Sequence, residues 1–457
     1  MSRLLDVPRP ELVLTHEEPV VSDDGARVEL RWSIAGGGAQ QRFTEVVELP
    51  DVAGPRPVDD DFVLVVRLLS LAAGLSYYKA LVPATIDTTP LGAGPREQEF
   101  LATVARNGLG EFAYRNDLPE ALRPTIRGTG TDADAAGSPA VPRATRPGAR
   151  VLAAVGGGKD SIVTLEALRA AGFDVALFSV NTYAPITRTA EVAGLPLLTA
   201  RRTIDPGLKA LNEAGAHNGH VPVTAINSLI GCLVALRSGF ESVVFSNERS
   251  SSYGNLTWAG VEVNHQWSKG LEFERLLRDR LAGVAVDYVS FLRPLSELAI
   301  MRRFATHTGY HRAFTSCNRS FHLDPAKRTE WCGHCDKCRF VFLCLAPFLP
   351  RAELLAIYGG RDLFADALGD AAQRDGFLDL LGTGPTHKPF ECVGEPEECQ
   401  VAVELLRRHP EWKDHPFLAL PGVAEVTVTP EQEEAAFSFA PQHALSPALE
   451  QAARAVL

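Results

Sequence analysis

The stretch VLAAVGGGKDS, residues 151–161, decides how the rest of the chain is read. Val151 to Val155 are five consecutive apolar residues, the pattern of a strand covered on both faces in a parallel sheet. Gly156, Gly157 and Gly158 then turn the chain. Asp160 and Ser161 open a helix striped by Ile162, Leu165 and Leu168. Gly172 is placed to end it, since a left-handed cap suits a residue without Cβ. Strand, turn and helix N-terminus together make an anion site, where unpaired N–H groups converge and the helix dipole favours negative charge. A Cβ in the turn would hold the backbone away from a phosphate.

The spacing matches neither GxxxxGK[ST] nor GxGxxG. GGGKDS resembles instead the SGGxDS signature of the N-type ATP pyrophosphatases, or PP-loop enzymes. These cut ATP between the α and β phosphates and usually pass AMP to a carboxylate or carbonyl oxygen. The resemblance implies that Gly156, Gly157, Gly158 and Ser161 cradle pyrophosphate, that Lys159 neutralises it, and that Asp160 lies near Mg²⁺. The plainer alternative is a glycine-rich βα turn. The order of strand, glycines, acid and hydroxyl weighs against it.

Outward from this stretch the pattern is β-α-β. Residues 174–181 (DVALFSVN) and 195–205 (LPLLTARRTID) read as strands, residues 222–236 as a helix, and 241–250 (ESVVFSNERS) as a buried strand with a polar end. Strands alternating with helices predict an α/β fold with a parallel doubly wound sheet, here of the PP-loop (adenine nucleotide α-hydrolase-like) type, with ligands beyond the carboxyl ends of the strands. The residues to watch there are 156–161, Asn181 as a further ATP contact, and Ser246, Asn247, Glu248 and Arg249.

Before this core, ARVELRWSIAG and QRFTEVVELP flank Gly36-Gly37-Gly38 as a hairpin with a longer loop, and Asp59 to Leu81 reads as one helix. The expected organisation is a small N-terminal α+β domain over 1–125, a linker or mobile loop rich in Gly, Pro, Ala and Thr over 126–149, the nucleotide domain over 150–350, and a C-terminal helical or α+β region over 351–457. In that last region ALPGVAEVTVTP is a strand candidate.

At 457 residues the chain exceeds one core, and 46% hydrophobic with 22% charged residues is ordinary globular composition. A net charge of −11 argues against nucleic acid as a partner. The first residues, MSRLLDVPRPEL, have no apolar core of signal-peptide length, and no run approaches 18 apolar residues, so no membrane partner is expected. The eight cysteines are grouped rather than spread as a disulfide framework, which predicts a reducing cytoplasm.

TSCNRSFHLDPAKRTEWCGHCDKCRF brings Cys317 toward Cys332, Cys335 and Cys338. Four thiolates can close a tetrahedron around structural Zn²⁺, with His334 or His322 as alternatives for the fourth place. An iron–sulfur cluster would commonly set another cysteine where Phe342 stands. Cys232 and Cys344 lie in apolar runs and read as core residues. A four-cysteine site after a PP-loop core resembles 7-cyano-7-deazaguanine synthase, which implies a structural role for Cys317, Cys332, Cys335 and Cys338.

Further stretches narrow the family. NEAGAHNGHVPVTAIN (212–227), VVFSNERSSSYGN (243–255), VNHQWSKGLEFE (263–274), FLRPLSELAI (291–300) and WCGHCDKCRFVFL (331–343) resemble the MurL family, whose members are UDP-N-acetylmuramoyl-L-alanyl-L-glutamate epimerases of peptidoglycan synthesis. The resemblance runs from about 150 to 350 and more weakly to both ends. It implies ATP and Mg²⁺ as cofactors, a UDP-N-acetylmuramoyl dipeptide as substrate, and a functional link to a ligase that adds L-Glu. The family chemistry is adenylation of the α-carboxylate of the terminal L-Glu, exchange of its α-proton, and hydrolysis to D-Glu and AMP. It is coherent from first principles. A carbanion beside a carboxylate is very unfavourable, whereas an acyl adenylate lets the charge spread onto the acyl oxygen.

For acid and base groups the sequence offers His220 just before Pro222 at a helix start, His217 three residues earlier, His265 and Lys269 in VNHQWSK, and Glu248 at a strand end. A turn cap, packing or a solvated strand end are the plainer readings of these residues. Asn247, Arg249 and Arg293 are candidate substrate contacts, and HKPFECVG (387–394) a candidate substrate loop. The rival functions are tRNA thiolation or carboxylate amidation on the same fold, and a non-catalytic nucleotide-binding protein. The acidic charge and the gathered cysteines disfavour the thiolation enzyme, the lack of a visible glutamine amidotransferase domain disfavours ammonia transfer, and intact Lys159, Asp160 and Ser161 disfavour the non-catalytic protein.

Overall fold

The computed structural model describes residues 2–54, 57–131, 143–322, 328, 330–384 and 390–457. The middle of the expected linker and the first three residues of the expected 387–394 loop lie outside the described residues.

Val151-Leu152-Ala153 form the heart of a strand, Arg150–Ala154, whose neighbours on both sides run parallel to it. Five strands make this parallel half, in the order Asp287–Ser290, Ser242–Phe245, Arg150–Ala154, Asp174–Val180 and Leu197–Thr203. Side chains alternate between two cores. Val151, Ala153, Leu177 and Val244 join the glycine-loop helix Lys159–Ala170 and the C-terminal helices. Leu152, Ala176, Phe178 and Val243 join the helices Asp60–Leu81 and Val223–Ser238. Period-2 alternation with apolar residues on both sides is what a sheet covered by two helical layers requires.

The sheet continues beyond Leu197–Thr203. The strand Ala39–Glu48 pairs with it antiparallel, at Val46 opposite Thr203 and Glu48 opposite Arg201. Arg27–Gly36, Val13–His16, Thr85–Asp87 and Thr125–Arg127 follow in order, with Val20–Val21 on Arg27–Gly36, to make eleven strands. The hairpin turn is tighter than expected: Gly36 pairs with Ala39, and only Gly37 and Gly38 turn, both at positive φ (56° and 75°). That is the two-residue turn whose twist matches the flanking strands.

The glycine-loop helix ends as its sequence predicts. Gly172 takes φ +80° and the N–H of Phe173 returns to the carbonyl of Leu168. The helix Asp60–Leu81, capped by Asp59 at the N–H of Phe62, is long and apolar enough to cross a membrane, and 78% of its most apolar window is buried inside this fold. Polar Arg67, Ser70 and Ser76 interrupt its apolar run, which is why no long stretch stood out in the sequence.

One expectation is overturned. Among the described residues, 351–457 contain no strand: the 3-10 helix Pro416–Ala419 is followed by turns over 421–425 and irregular chain over 426–429, up to the helix Pro430–Ala436. A strand needs a ladder partner for its carbonyls. Here the Arg407 guanidinium takes those of Val426, Val423 and Ala424 at 2.7, 2.9 and 3.1 Å, while Val423 and Val426 bury against helices. The C-terminal region is helical rather than α+β.

Candidate active site

The parallel strands wind outward from Arg150–Ala154 in one direction and then return to Ser242–Phe245 on its other side. At that reversal the connections leave opposite faces and open a crevice at the carboxyl ends. A cavity stands there, walled by Ala154–Gly156, Phe178–Val180 and Phe245–Asn247 from three strand ends, with Lys269, Lys337 and Ser316 opposite.

The glycine loop forms its floor. Gly157 has φ +80°, and a Cβ on it would stand 2.6 Å from the Cβ of Pro185. Gly158 caps the helix in an extended conformation, and the Ser161 hydroxyl donates to its carbonyl at 2.9 Å. Gly156, Gly158, Asp160 and Ser161 face the cavity, and the Gly157 carbonyl accepts from the N–H of Thr315 at 3.0 Å. Lys159 is placed differently from its neighbours. Its ammonium is buried between Asp160 at 2.6 Å and Glu297 at 2.5 Å. Burial would lower its pKa, but the two carboxylates outweigh this and hold it charged.

The other expected contacts divide. Asn247 lines the cavity and donates to the Tyr288 hydroxyl at 3.2 Å and to Ser290 at 3.0 Å. Asn181, at φ +55°, spends its side chain on the backbone of Arg202 and does not face the cavity. Arg249 points outward to the carbonyl of Ala435. Arg293 is wholly enclosed and hydrogen-bonds Glu274, Ser251, Ser290 and the carbonyls of Glu248 and Lys269. Its role is therefore to fix the Lys269 backbone beside the cavity. Glu248 is buried, and its carboxylate acts on the Lys269 ammonium.

Behind Lys269 lies a chain of titratable groups. The Lys269 ammonium meets Cys392 Sγ at 3.1 Å. His265 hydrogen-bonds Cys392 and places its Nδ1 2.5 Å from Glu111 Oε2, which also lies 3.5 Å from His220 Nδ1. The two imidazole rings are 4.6 Å apart. Burial pushes the Cys392 thiol up, but the Lys269 and Lys337 ammonium groups and His265 outweigh it and bring the thiol down to about 6. Burial lowers His265, and its bonds to Cys392 and Glu111 overturn that and raise it to about 9. His220 falls to about 4 through burial first, then through His265, Lys79 and Lys269, and so stays neutral. The expected neutrality of His220 thus arises mainly from burial and neighbouring positive groups. His217 is not in this chain and faces Arg9 Nη2 at 3.4 Å. Glu111, His220 and His265 stand close enough for a cation, but the ammonium groups of Lys79 and Lys269 act on the same imidazole. The groups in this chain are of the kinds that serve as acids and bases.

Cys317, Cys332, Cys335 and Cys338 converge, with every sulfur within 4.8 Å of the others and the Cys332–Cys338 and Cys335–Cys338 pairs at 3.8 and 3.5 Å. Four thiolates about 2.3 Å from one ion would lie about 3.8 Å apart, so the cluster could hold a metal ion. Among the described residues no histidine joins it. His334 gives its backbone N–H to Cys332 Sγ at 3.4 Å.

Sequence reading missed Glu111, Glu297, Lys337 and Cys392 as single residues. Only Cys392 left a signal: a cysteine in polar FECVGEPEE, outside both the cluster and the apolar helices.

Residues 12–291 match a family model described as the MurL N-terminal domain, and residues 313–436 one described as the MurL C-terminal domain. A Salinispora tropica protein named UDP-N-acetyl-alpha-D-muramoyl-L-alanyl-L-glutamate epimerase is 48% identical over 402 residues, covering 85% of this chain and 83% of its own. A Micromonospora protein of the same name is 47% identical over 401 residues, with 85% of each chain covered. One from Xanthomonas oryzae pv. oryzae is 47% identical over 354 residues, covering 76% of this chain and 75% of its own. No solved structure matches the chain.

Proposed function

We propose, from the premise that the chain belongs to the MurL family, that it is an ATP-dependent epimerase acting on the terminal L-Glu of UDP-N-acetylmuramoyl-L-alanyl-L-glutamate. Gly156, Gly158 and Ser161 line the floor on which the leaving pyrophosphate would rest, at the N-terminal end of the helix Lys159–Ala170, where the helix dipole favours negative charge. Asp160, on the cavity wall, is the carboxylate that would carry Mg²⁺, which when bound offsets the phosphate charge. The α-carboxylate attacks the α-phosphorus and becomes an acyl adenylate. Loss of the carboxylate charge makes the Cα proton removable, and the groups around Lys269 are suited to move it. Water then releases AMP and the D-Glu product. Cys317, Cys332, Cys335 and Cys338 would hold structural Zn²⁺. The grouped, unpaired cysteines suit a cytoplasmic setting beside the ligase that adds L-Glu.

The observation that carries this reading is the single cavity edge shared by the glycine loop and Lys269. Incubation with the dipeptide substrate, with and without ATP, tests it. D-Glu formed only with ATP, accompanied by AMP and pyrophosphate, is expected. ADP and phosphate, or inversion without ATP, would contradict it.

A further inference from the structure

Cys392 is held from three directions. Lys269 meets its sulfur at 3.1 Å, and Lys337, at the start of the helix Asp336–Leu345, adds a second ammonium; both lysines line the cavity. His265 approaches from beyond the strand Val261–Val263 with Glu111 behind it. The loop itself is pinned. Phe390 stacks on Tyr114 at 5.6 Å and lies under Arg115 at 4.9 Å, both on the helix Gly110–Asn116 that supplies Glu111. Glu391 accepts from Asn318 at 2.6 Å. A surface loop with a spare cysteine would not need a base, an acid and two cations around the sulfur.

Resting on the epimerase reading, we propose that the Cys392 sulfur is the proton-transferring atom on one face of the glutamyl Cα. In the adenylated substrate a thiolate lone pair takes the Cα proton and forms S–H. The C–H electron pair moves into the Cα–acyl bond, and negative charge passes to the acyl oxygen, within reach of the ammonium groups that line the cavity. A solvent-derived proton enters from the opposite face as the pair returns to Cα, and the thiol releases its proton to solvent, which restores the thiolate beside the Lys269 and His265 cations. In the reverse direction the thiol donates. Lys269 and His265 keep the sulfur ionised near neutral pH, and a thiolate whose conjugate acid titrates near the working pH is well matched to general base catalysis.

The test is Cα exchange from each epimer separately. Wild-type protein and Cys392→Ser receive the L-Glu or the D-Glu dipeptide with ATP and Mg²⁺ in D₂O, while ATP–pyrophosphate exchange records adenylation. The variant is expected to keep adenylation, to lose deuterium uptake from one epimer by about 100-fold or more, and to retain it from the other. Uptake from both epimers at wild-type rates overturns the proposal, and so does equal loss from both with adenylation intact. A wild-type protein that makes neither AMP nor D-Glu instead defeats the epimerase reading. Should the variant fail to fold, alkylation of Cys392 in the wild-type protein by iodoacetamide, followed by peptide mass, decides. The rate should rise through about pH 6 and fall when substrate and ATP are bound. A rise only through the range of an ordinary thiol, with no protection, overturns it.

Discussion

Gly157 shows how a single atom constrains the site. Its φ of +80° and the Pro185 Cβ only 2.6 Å from where its own Cβ would stand leave room for hydrogen alone. Gly157→Ala must pay about 1–2 kcal/mol for the left-handed backbone and must also shift Pro185 or the loop. Urea unfolding should show at least that loss, and ATP-dependent turnover should fall further than stability does, because the displaced loop includes the cavity floor. Unchanged turnover in the variant would mean that the floor does not hold phosphate. Lys159 carries a related lesson. The motif suggests a phosphate contact, whereas the side chain is locked between Asp160 and Glu297, a placement set by a residue 138 positions away that no local pattern reveals.

At the scale of elements, the short helix Leu363–Gly369 shows how one carboxylate organises a neighbourhood. Asp362 caps it at the N–H groups of Phe364 and Ala365, and meets Arg351 at 2.7 Å and His415 at 3.5 Å. Burial raises its pKa, but the bonds from His415 and Arg351 outweigh this and leave it at about 2. A folded pKa below the unfolded one means stability that is present above about pH 4 and lost as pH falls through about 2, worth about 2 kcal/mol in all. Asp362→Asn keeps the cap, and its unfolding free energy should lose that pH slope while the wild type shows it. Elements like the glycine-loop helix were legible because strand, turn, stripe and Gly172 cap are all local. The false strand at 419–430 was not, since the alternation in VAEVTVTP is real and only Arg407 and the helices it joins decide where those carbonyls go. The histidines near Pro222 and in VNHQWSK were legible as residue types, but their pairing on Glu111 spans more than 100 positions.

Over the whole molecule, the sheet joins what the sequence divides. The N-terminal hairpin extends the parallel half through Val46 and Thr203, a pairing set by long-range register rather than by any local signal. The cysteine cluster makes a second bridge. Thr315, two residues before Cys317, bonds the glycine loop, and Lys337, within the cysteine run, faces the cavity and Cys392. Metal binding should therefore support the site as well as the fold. Cys335→Ser is expected to lose bound metal and to cost on the order of several kcal/mol in stability, with turnover falling in parallel. His334→Ala should keep its metal, since only its backbone touches the cluster. Equal metal content in both variants would remove Cys335 from the ligand set.

The central claim is that adenylation makes the glutamyl Cα proton exchangeable. One incubation tests it most directly: wild-type protein, ATP, Mg²⁺ and the L-Ala-L-Glu substrate in D₂O, with AMP, glutamate chirality and Cα deuterium measured in the same sample. Adenylation-driven epimerisation predicts D-Glu carrying one deuterium at Cα, with AMP at least equal to the D-Glu formed. D-Glu that keeps its protium, or inversion without AMP, would contradict it.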